Sequence, residues 1–419
     1  MFDRSRPAGS VAACISPCCS AKREDDHLGA ATQARVESLT GHAEPATGLL
    51  PSDDSPNLMS ADASPCQKQA MTLGPTLRRF NRYRQALPAA RAADDMNRRL
   101  GASEADKDKP VDAACLTRLP TDAQDLNKSL GLPPNTIKPE QLRQEDTGFR
   151  AALYRDEATG RVILVPRDTQ PTSLVDWQTN TRNGDGLDTD QYKAARVLST
   201  KLTQNGVDFD VAGYSKGGGI AQEMALLNPN ANAFVFNSAG LHENSLSRTG
   251  NTDFASLSKR TQAFSAQGDF LTYMNSTTDP AKQIANAQFL RREVAGENRK
   301  LIDPMQIDHR NPGLSDGVKD DDFQAARDDY LGELDAFGRR LEQDFASGKA
   351  LRSFPPVRAG QQEVIANSDT FIGNRLGAND AGPNLGKLYQ HKMGNVLESI
   401  QTNVDADRKT LERFLDHCR

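Results

Sequence analysis

The sharpest change of hydrophobic period along the chain lies between Val207 and Asn228. Val207, Phe209 and Val211 alternate with polar residues, Gly213-Tyr214-Ser215-Lys216-Gly217 interrupts, and Ile220, Met224 and Leu227 then recur at helical spacing. Asn228-Pro229 closes that helix, so the pattern predicts strand, tight turn, helix. Upstream, 148–155 and 161–165 read as two strands around an acidic turn that ends at Gly160. A helix is expected over about 189–204, with Ala194, Ala195, Leu198 and Leu202 on one side. Downstream, 233–236 and 261–266 read as strands. Two helical stretches follow within 276–350, marked by Ile284, Phe289, Leu290 and Val294 and then by Tyr330, Leu334, Phe337 and Leu341. From 351 the pattern is irregular up to Leu388. A last amphipathic helix then carries Met393, Val396, Leu397 and Ile400 and continues through Leu411 and Phe414. Strands alternating with helices argue for an α/β fold, a mostly parallel sheet flanked by helices, with 276–350 as a helical insertion.

Composition divides the chain further. Residues 1–75 are rich in small and polar residues without sustained periodicity, and read as a disordered N-terminal tail; overall hydrophobic content is 37%. A small-residue N-terminus of this kind also resembles bacterial type III secretion signals. Residues 76–119 read as an arginine-rich helical linker. Arg78, Arg79, Arg82, Arg84, Arg91, Arg98 and Arg99 face only Asp94 and Asp95 there, and Pro88 is expected to interrupt the helix. A solvated helix and a membrane-surface helix are both open readings. Residues 120–419 form the expected folded domain.

The net charge of −5, with no dominant basic run, argues against nucleic acid as partner. No apolar run approaches the ~18 residues of a membrane span and no secretory signal opens the chain, so a soluble protein is expected. Of the six cysteines, Cys14, Cys18, Cys19, Cys66, Cys115 and Cys418, none lies between 116 and 417. This spacing is read as a reducing compartment without a disulfide framework, and it offers no metal site. The acidic loop 181–190 fails as a calcium loop because Thr181 and Tyr192 stand where acids are required.

A serine hydroxyl becomes a useful nucleophile when it is exposed, held near a base and placed beside donors for an oxyanion. Gly213-Tyr-Ser-Lys-Gly217 at a strand–helix junction meets the first condition. The flanking glycines admit crowded backbone, and the helix start favours negative charge. A glycine-rich turn that binds phosphate is the competing reading. On a hydrolase sheet the acid and then the histidine follow the serine in the chain. Asp269, past the strand 261–266, is the candidate acid, against an ordinary Gly-Asp turn. His391, before the last helix, is the preferred base and His309 the alternative; His27, His42, His242 and His417 are badly placed. The backbone N–H of Lys216 and that of Thr169, in the loop after 161–165, are the candidate oxyanion donors.

These segments together resemble the class 3 lipase-like group of α/β-hydrolases: Gly148–Arg155, Leu164-Val-Pro-Arg-Asp-Thr169, Asp176-Trp-Gln-Thr-Asn180, Gly213-Tyr-Ser-Lys-Gly-Gly-Gly219, Asn237-Ser-Ala-Gly240 and His391-Lys-Met-Gly-Asn-Val-Leu397. The resemblance implies a Ser215–Asp269–His391 esterase without cofactor that acts on lipid or phospholipid acyl esters. Peripheral membrane contact is implied, as is a place in the bacterial cytoplasm or delivery into a host cell. Two positions depart from the group. Asp168 replaces a glycine in the oxyanion loop, and Lys216 replaces a leucine after the nucleophile, where its charge suits an anionic substrate. An inactive hydrolase scaffold that works as an interaction protein is the alternative function.

Overall fold

The computed structural model describes residues 17–41, 63–99, 115–170, 173–184, 186–250, 253–276, 361–365 and 391–419, with isolated positions between 285 and 347. It forms two compact units. One comprises residues 1–85, 156–160 and 402–419, the other 86–155 and 161–401.

The larger unit is built on a seven-stranded sheet. Its strands, β1 (Leu116–Arg118), β2 (Ala151–Asp156), β3 (Val162–Pro166), β4 (Phe209–Tyr214), β5 (Ala233–Phe236), β6 (Thr261–Ala266) and β7 (Gln361–Ile365), lie side by side in chain order. β2 and β3 pair antiparallel, and every later neighbour pair from β3 to β7 is parallel. Parallel strands covered on both faces are apolar throughout, and β3 and β4 are buried along their whole length. The connections are helical. α3 (Leu174–Gly184) and α4 (Asp190–Gln204) lie between β3 and β4, and α5 (Lys216–Leu227) lies between β4 and β5. Ala194, Ala195, Leu198 and Leu202 of α4 join Ile220 and Met224 of α5 and Phe209 and Val211 of β4 in one core.

β7 was not expected, since 351–387 shows no strand pattern. Gln361-Gln-Glu-Val-Ile365 has two apolar residues, and Val364 remains 59% exposed at the end of the sheet. What makes it a strand is pairing, from Gln262 opposite Gln361 to Ala266 opposite Ile365. An edge strand needs only one apolar face, so its own sequence carries little signal.

The smaller unit corrects the reading of 1–75 as disordered. α1 (Pro17–Thr40) and α2 (Pro65–Arg98) occupy much of that stretch, while residues 1–16 and 42–62 lie outside the described residues. α1 buries Gly29, Thr32 and Val36, a narrow stripe of mostly small residues that hydrophobicity alone does not reveal. A Cβ on Gly29 would come 2.9 Å from Asn81 Oδ1, so the two helices approach closely. Leu73, Leu77, Phe80 and Tyr83 of α2 are buried, as are Val404, Leu411 and Phe414 of α6 (Met393–His417).

The arginine-rich stretch is helical and partly buried, with several of its cations in ion pairs. α2 runs unbroken through Pro88, where Ala86, Ala89, Ala90, Ala92 and Ala93 are buried; that packing outweighs the ~3 kcal/mol cost of an interior proline. Two of the stretch's cations meet carboxylates from elsewhere in the chain, and a third meets one within the stretch. Arg79 grips Asp407 at 2.5 and 2.8 Å, Arg84 pairs with Asp26, and Arg99 holds Asp95 at 2.8 and 3.0 Å. The cysteine reading is corrected too. Cys66 and Cys418 form a disulfide across 352 positions, a pairing that spacing cannot reveal. The expected insertion 276–350, with its marker residues, falls almost wholly outside the described residues, as does His309.

Candidate active site

β4 ends at Tyr214, and the chain turns at once into α5. Ser215, at the bend, takes φ +53° and ψ −125°, a strained conformation for a residue with a Cβ. The surroundings leave no room to relax it. A Cβ on Gly213 would lie 2.2 Å from Gly217 O, and one on Gly217 would lie 2.6 Å from Pro166 O. The next two glycines face side chains: a Cβ on Gly218 would meet Ser238 Oγ at 2.4 Å, and one on Gly219 would meet Tyr192 OH at 2.6 Å. All four positions therefore bring backbone close to neighbours, and Ser215 is left standing at the C-terminal end of β4.

Three groups from distant parts of the chain meet there. His391 Nε2 lies 2.9 Å from Ser215 Oγ, and His391 Nδ1 lies 2.6 Å from Asp269 Oδ1. Asp269 follows β6, and the turn is made by Gly268 at φ +76°. Its Oδ2 accepts from both the backbone N–H and the hydroxyl of Thr272 at 2.6 Å. Burial opposes ionisation of Asp269, but the His391 imidazole and the Thr272 donors outweigh it and hold the carboxyl below its ordinary range. An ionised carboxylate only accepts, so Nδ1 bears the imidazole proton and Nε2 is left to accept from the Ser215 hydroxyl. Sequence reasoning missed Tyr214, whose hydroxyl donates to the His391 carbonyl and whose ring lies 5.1 Å from the imidazole.

The candidate oxyanion donors are the backbone N–H groups of Lys216 and Thr169. Lys216 opens α5 and presents its backbone N–H at the unsatisfied helix end. Thr169 lies in the loop after β3, which packs on Gly217 through Pro166 and Arg167. Its Oγ1 accepts from Asn180 Nδ2 at 2.9 Å.

The side chain of Lys216 does not face outward to receive an anionic substrate. It is 2% exposed, and its ammonium donates to Asp176 Oδ1 at 2.5 Å and Gln191 Oε1 at 2.7 Å. A buried cation requires such partners, and they draw it inward from the serine. Asp168 is also buried, with no hydrogen-bond partner for Oδ1 among the described residues. Burial, against the pull of Lys216 and with the push of Asp176, raises its carboxyl to about 8. His242 is the N-cap of a short helix, Glu243–Arg248, where Nδ1 accepts from the Asn244 N–H.

No helix among the described residues is long and apolar enough to cross a membrane. No curated protein matches the chain. Residues 102–305 do match a family model, a range that holds Ser215, Lys216, Thr169 and Asp269 but stops short of His391. That model is the Tle-like phospholipase domain, so residues 102–305, which hold most of the mostly parallel α/β sheet, are similar to that family.

Proposed function

We propose that the chain is a serine esterase that cleaves lipid or phospholipid acyl esters through an acyl-enzyme on Ser215. The observation that carries this is the unbroken hydrogen-bonded series from Ser215 Oγ through His391 to Asp269, at 2.9 and 2.6 Å. Ser215 Oγ attacks the ester carbonyl carbon while its proton passes to His391 Nε2. The carbonyl electron pair moves onto oxygen, and the backbone N–H groups of Lys216 and Thr169 hold that oxyanion. Collapse expels the alcohol, which takes the proton from Nε2. Water then attacks the acyl ester, gives its proton to Nε2 and releases the carboxylic acid, and the proton returns to Ser215. Asp269 stabilises the imidazolium without being protonated itself.

The lipid character of the substrate rests on the family match. The Cys66–Cys418 disulfide favours a working compartment that is oxidising, and hence delivery out of the producing cell. The reading as an inactive scaffold draws on a carboxylate beside the oxyanion. A carboxyl raised to about 8 is neutral at physiological pH, which weakens that objection.

The test is turnover of a p-nitrophenyl ester series and of phospholipid vesicles, together with labelling by a fluorophosphonate. Wild type should turn over and be labelled, and Ser215→Ala should do neither. A wild-type chain that takes no label and releases no acyl group from any substrate would make it a scaffold.

A further inference from the structure

The residue next to the nucleophile is the least favourable helical position for a buried cation. Lys216 is the first residue of α5, where the helix end is itself electropositive, and its side chain is sealed from water. A leucine would fill such a site without desolvating a charge, so packing alone does not account for a lysine.

Its partner explains the choice. Asp176, on α3, is wholly buried, and each of its carboxylate oxygens holds several groups. Oδ1 accepts from the Lys216 ammonium at 2.5 Å and from Gln191 Nε2 at 2.6 Å. Oδ2 accepts from the Gln170 backbone N–H at 2.7 Å and from the Arg167 guanidinium at 3.2 Å. Arg167 and Gln170 bracket Asp168 and Thr169, and they bond to each other at 3.1 Å. One carboxylate therefore grips the residue after Ser215 on one side and both ends of the Thr169 loop on the other. Gln191, from α4, braces the ion pair by donating to Asp176 and accepting from Lys216.

We propose that Lys216 and Asp176 are positioning residues, a buried ion pair that sets the spacing between the two backbone N–H groups that receive the oxyanion. The inference rests on the serine-esterase reading. Neither side chain touches substrate; each acts through the backbone it anchors. With the pair in place the two donors stay aimed while the carbonyl oxygen gains charge, and no reorganisation is needed at that moment. Without it the 167–170 loop loses its tie to the elbow, although the Ser215–His391–Asp269 series is untouched.

The experiment is steady-state kinetics of Lys216→Met and Asp176→Asn on a p-nitrophenyl ester, with the fluorophosphonate labelling rate read in parallel. Folding is checked by the fluorescence of Trp177. Loss of an oxyanion donor costs roughly 100- to 1,000-fold in kcat, so each variant should lose about that much while KM changes by no more than about threefold. The labelling rate should fall in step, because phosphonylation builds charge on the corresponding oxygen. The double variant should be little worse than either single one, since both break one link. Variants that fold and keep kcat within about threefold of wild type would overturn the proposal, as would losses that multiply in the double variant. A wild type without turnover or label would instead defeat the esterase reading. If neither variant folds, Gln191→Leu carries the test: it removes one brace and should lower kcat about three- to tenfold at constant KM, and an unchanged kcat would overturn the proposal.

Discussion

Replacing Asp168 by asparagine removes a titratable proton from a buried site and keeps the side-chain shape. The wild-type carboxyl titrates near 3.8 when exposed and at about 8 in the folded chain, chiefly because burial disfavours its charge. Between those values the folded form retains a proton that the unfolded form has released. Raising the pH therefore favours unfolding, by up to about 1.4 kcal/mol for each pH unit. From about pH 5 to about pH 8 that amounts to at most roughly 4 kcal/mol. Asp168→Asn carries no such term. The assay is urea unfolding at a series of pH values followed through Trp177, the only tryptophan, which follows Asp176 on α3 and reports on the larger unit alone. The variant's advantage should grow from about pH 5 to about pH 8 and level off above. Parallel curves would refute the reasoning. A wild type that gains on the variant with rising pH would show instead that Asp168 is ionised and paired.

Four further outcomes are expected. Asp269→Asn should keep the fold but cut kcat by about 10³- to 10⁴-fold at neutral pH, because an amide no longer enforces the Nδ1–H tautomer; a loss under about tenfold would remove Asp269 from the proton path. Gly218→Ala should cost about 1–3 kcal/mol by driving a methyl group against Ser238. Its Cβ would fall 2.4 Å from Ser238 Oγ, and a thermal midpoint equal to wild type would contradict that crowding. Cys66→Ser should lower helix stability in the smaller unit by about 2–5 kcal/mol under oxidising conditions, and an identical far-UV melting profile would argue against the Cys418 bond. Finally, kcat of the wild type should decline as Asp168 ionises above about 8, whereas Asp168→Asn should keep its rate there; superimposed pH–rate curves would separate Asp168 from the oxyanion.

What was legible in the sequence was whatever is encoded locally. A change from alternating to helical spacing within a few residues marks β4 and α5, and crowding at such a bend dictates glycine at 213 and 217. Chain order on such a sheet pointed to Asp269 and left His391 and His309 as bases; Ser215, His391 and Asp269 lie in hydrogen-bond series. What was illegible depends on partners far away in the chain. β7 owes its form to β6, since its own residues would suit a loop as well. α1 buries a stripe that includes Gly29 and Thr32, which hydropathy scores as a polar tail. The arginines of α2 look like a basic surface until Asp26 and Asp407 are set beside Arg84 and Arg79. Lys216 is the plainest case. Its backbone role follows from its place after Ser215, but the direction of its side chain depends on Asp176, forty positions earlier.

Asp168 and Lys216 read separately as two departures from a lipase-like pattern, one placing a carboxylate near the oxyanion and the other suiting an anionic substrate. In the folded chain they belong to one buried cluster with Arg167 and Asp176. Asp176 is ionised: burial opposes its charge, but Lys216 and Arg167 together hold its carboxyl below the ordinary range. With Asp168 neutral, the two cations exceed the one anion by a single positive charge, located under the loop and helix end that would receive an oxyanion. Ionising Asp168 would cancel that surplus. A glycine at 168 with a leucine at 216 would leave Asp176 facing Arg167 alone, a neutral pair. The two substitutions therefore change the electrostatics together, and the exchange yields a more positive floor at the cost of two further buried ionisable groups. Reverting one without the other has unequal effects. Leucine at 216 leaves Asp168 without its nearest counter-charge, whereas glycine at 168 leaves the surplus intact and removes the group that can cancel it.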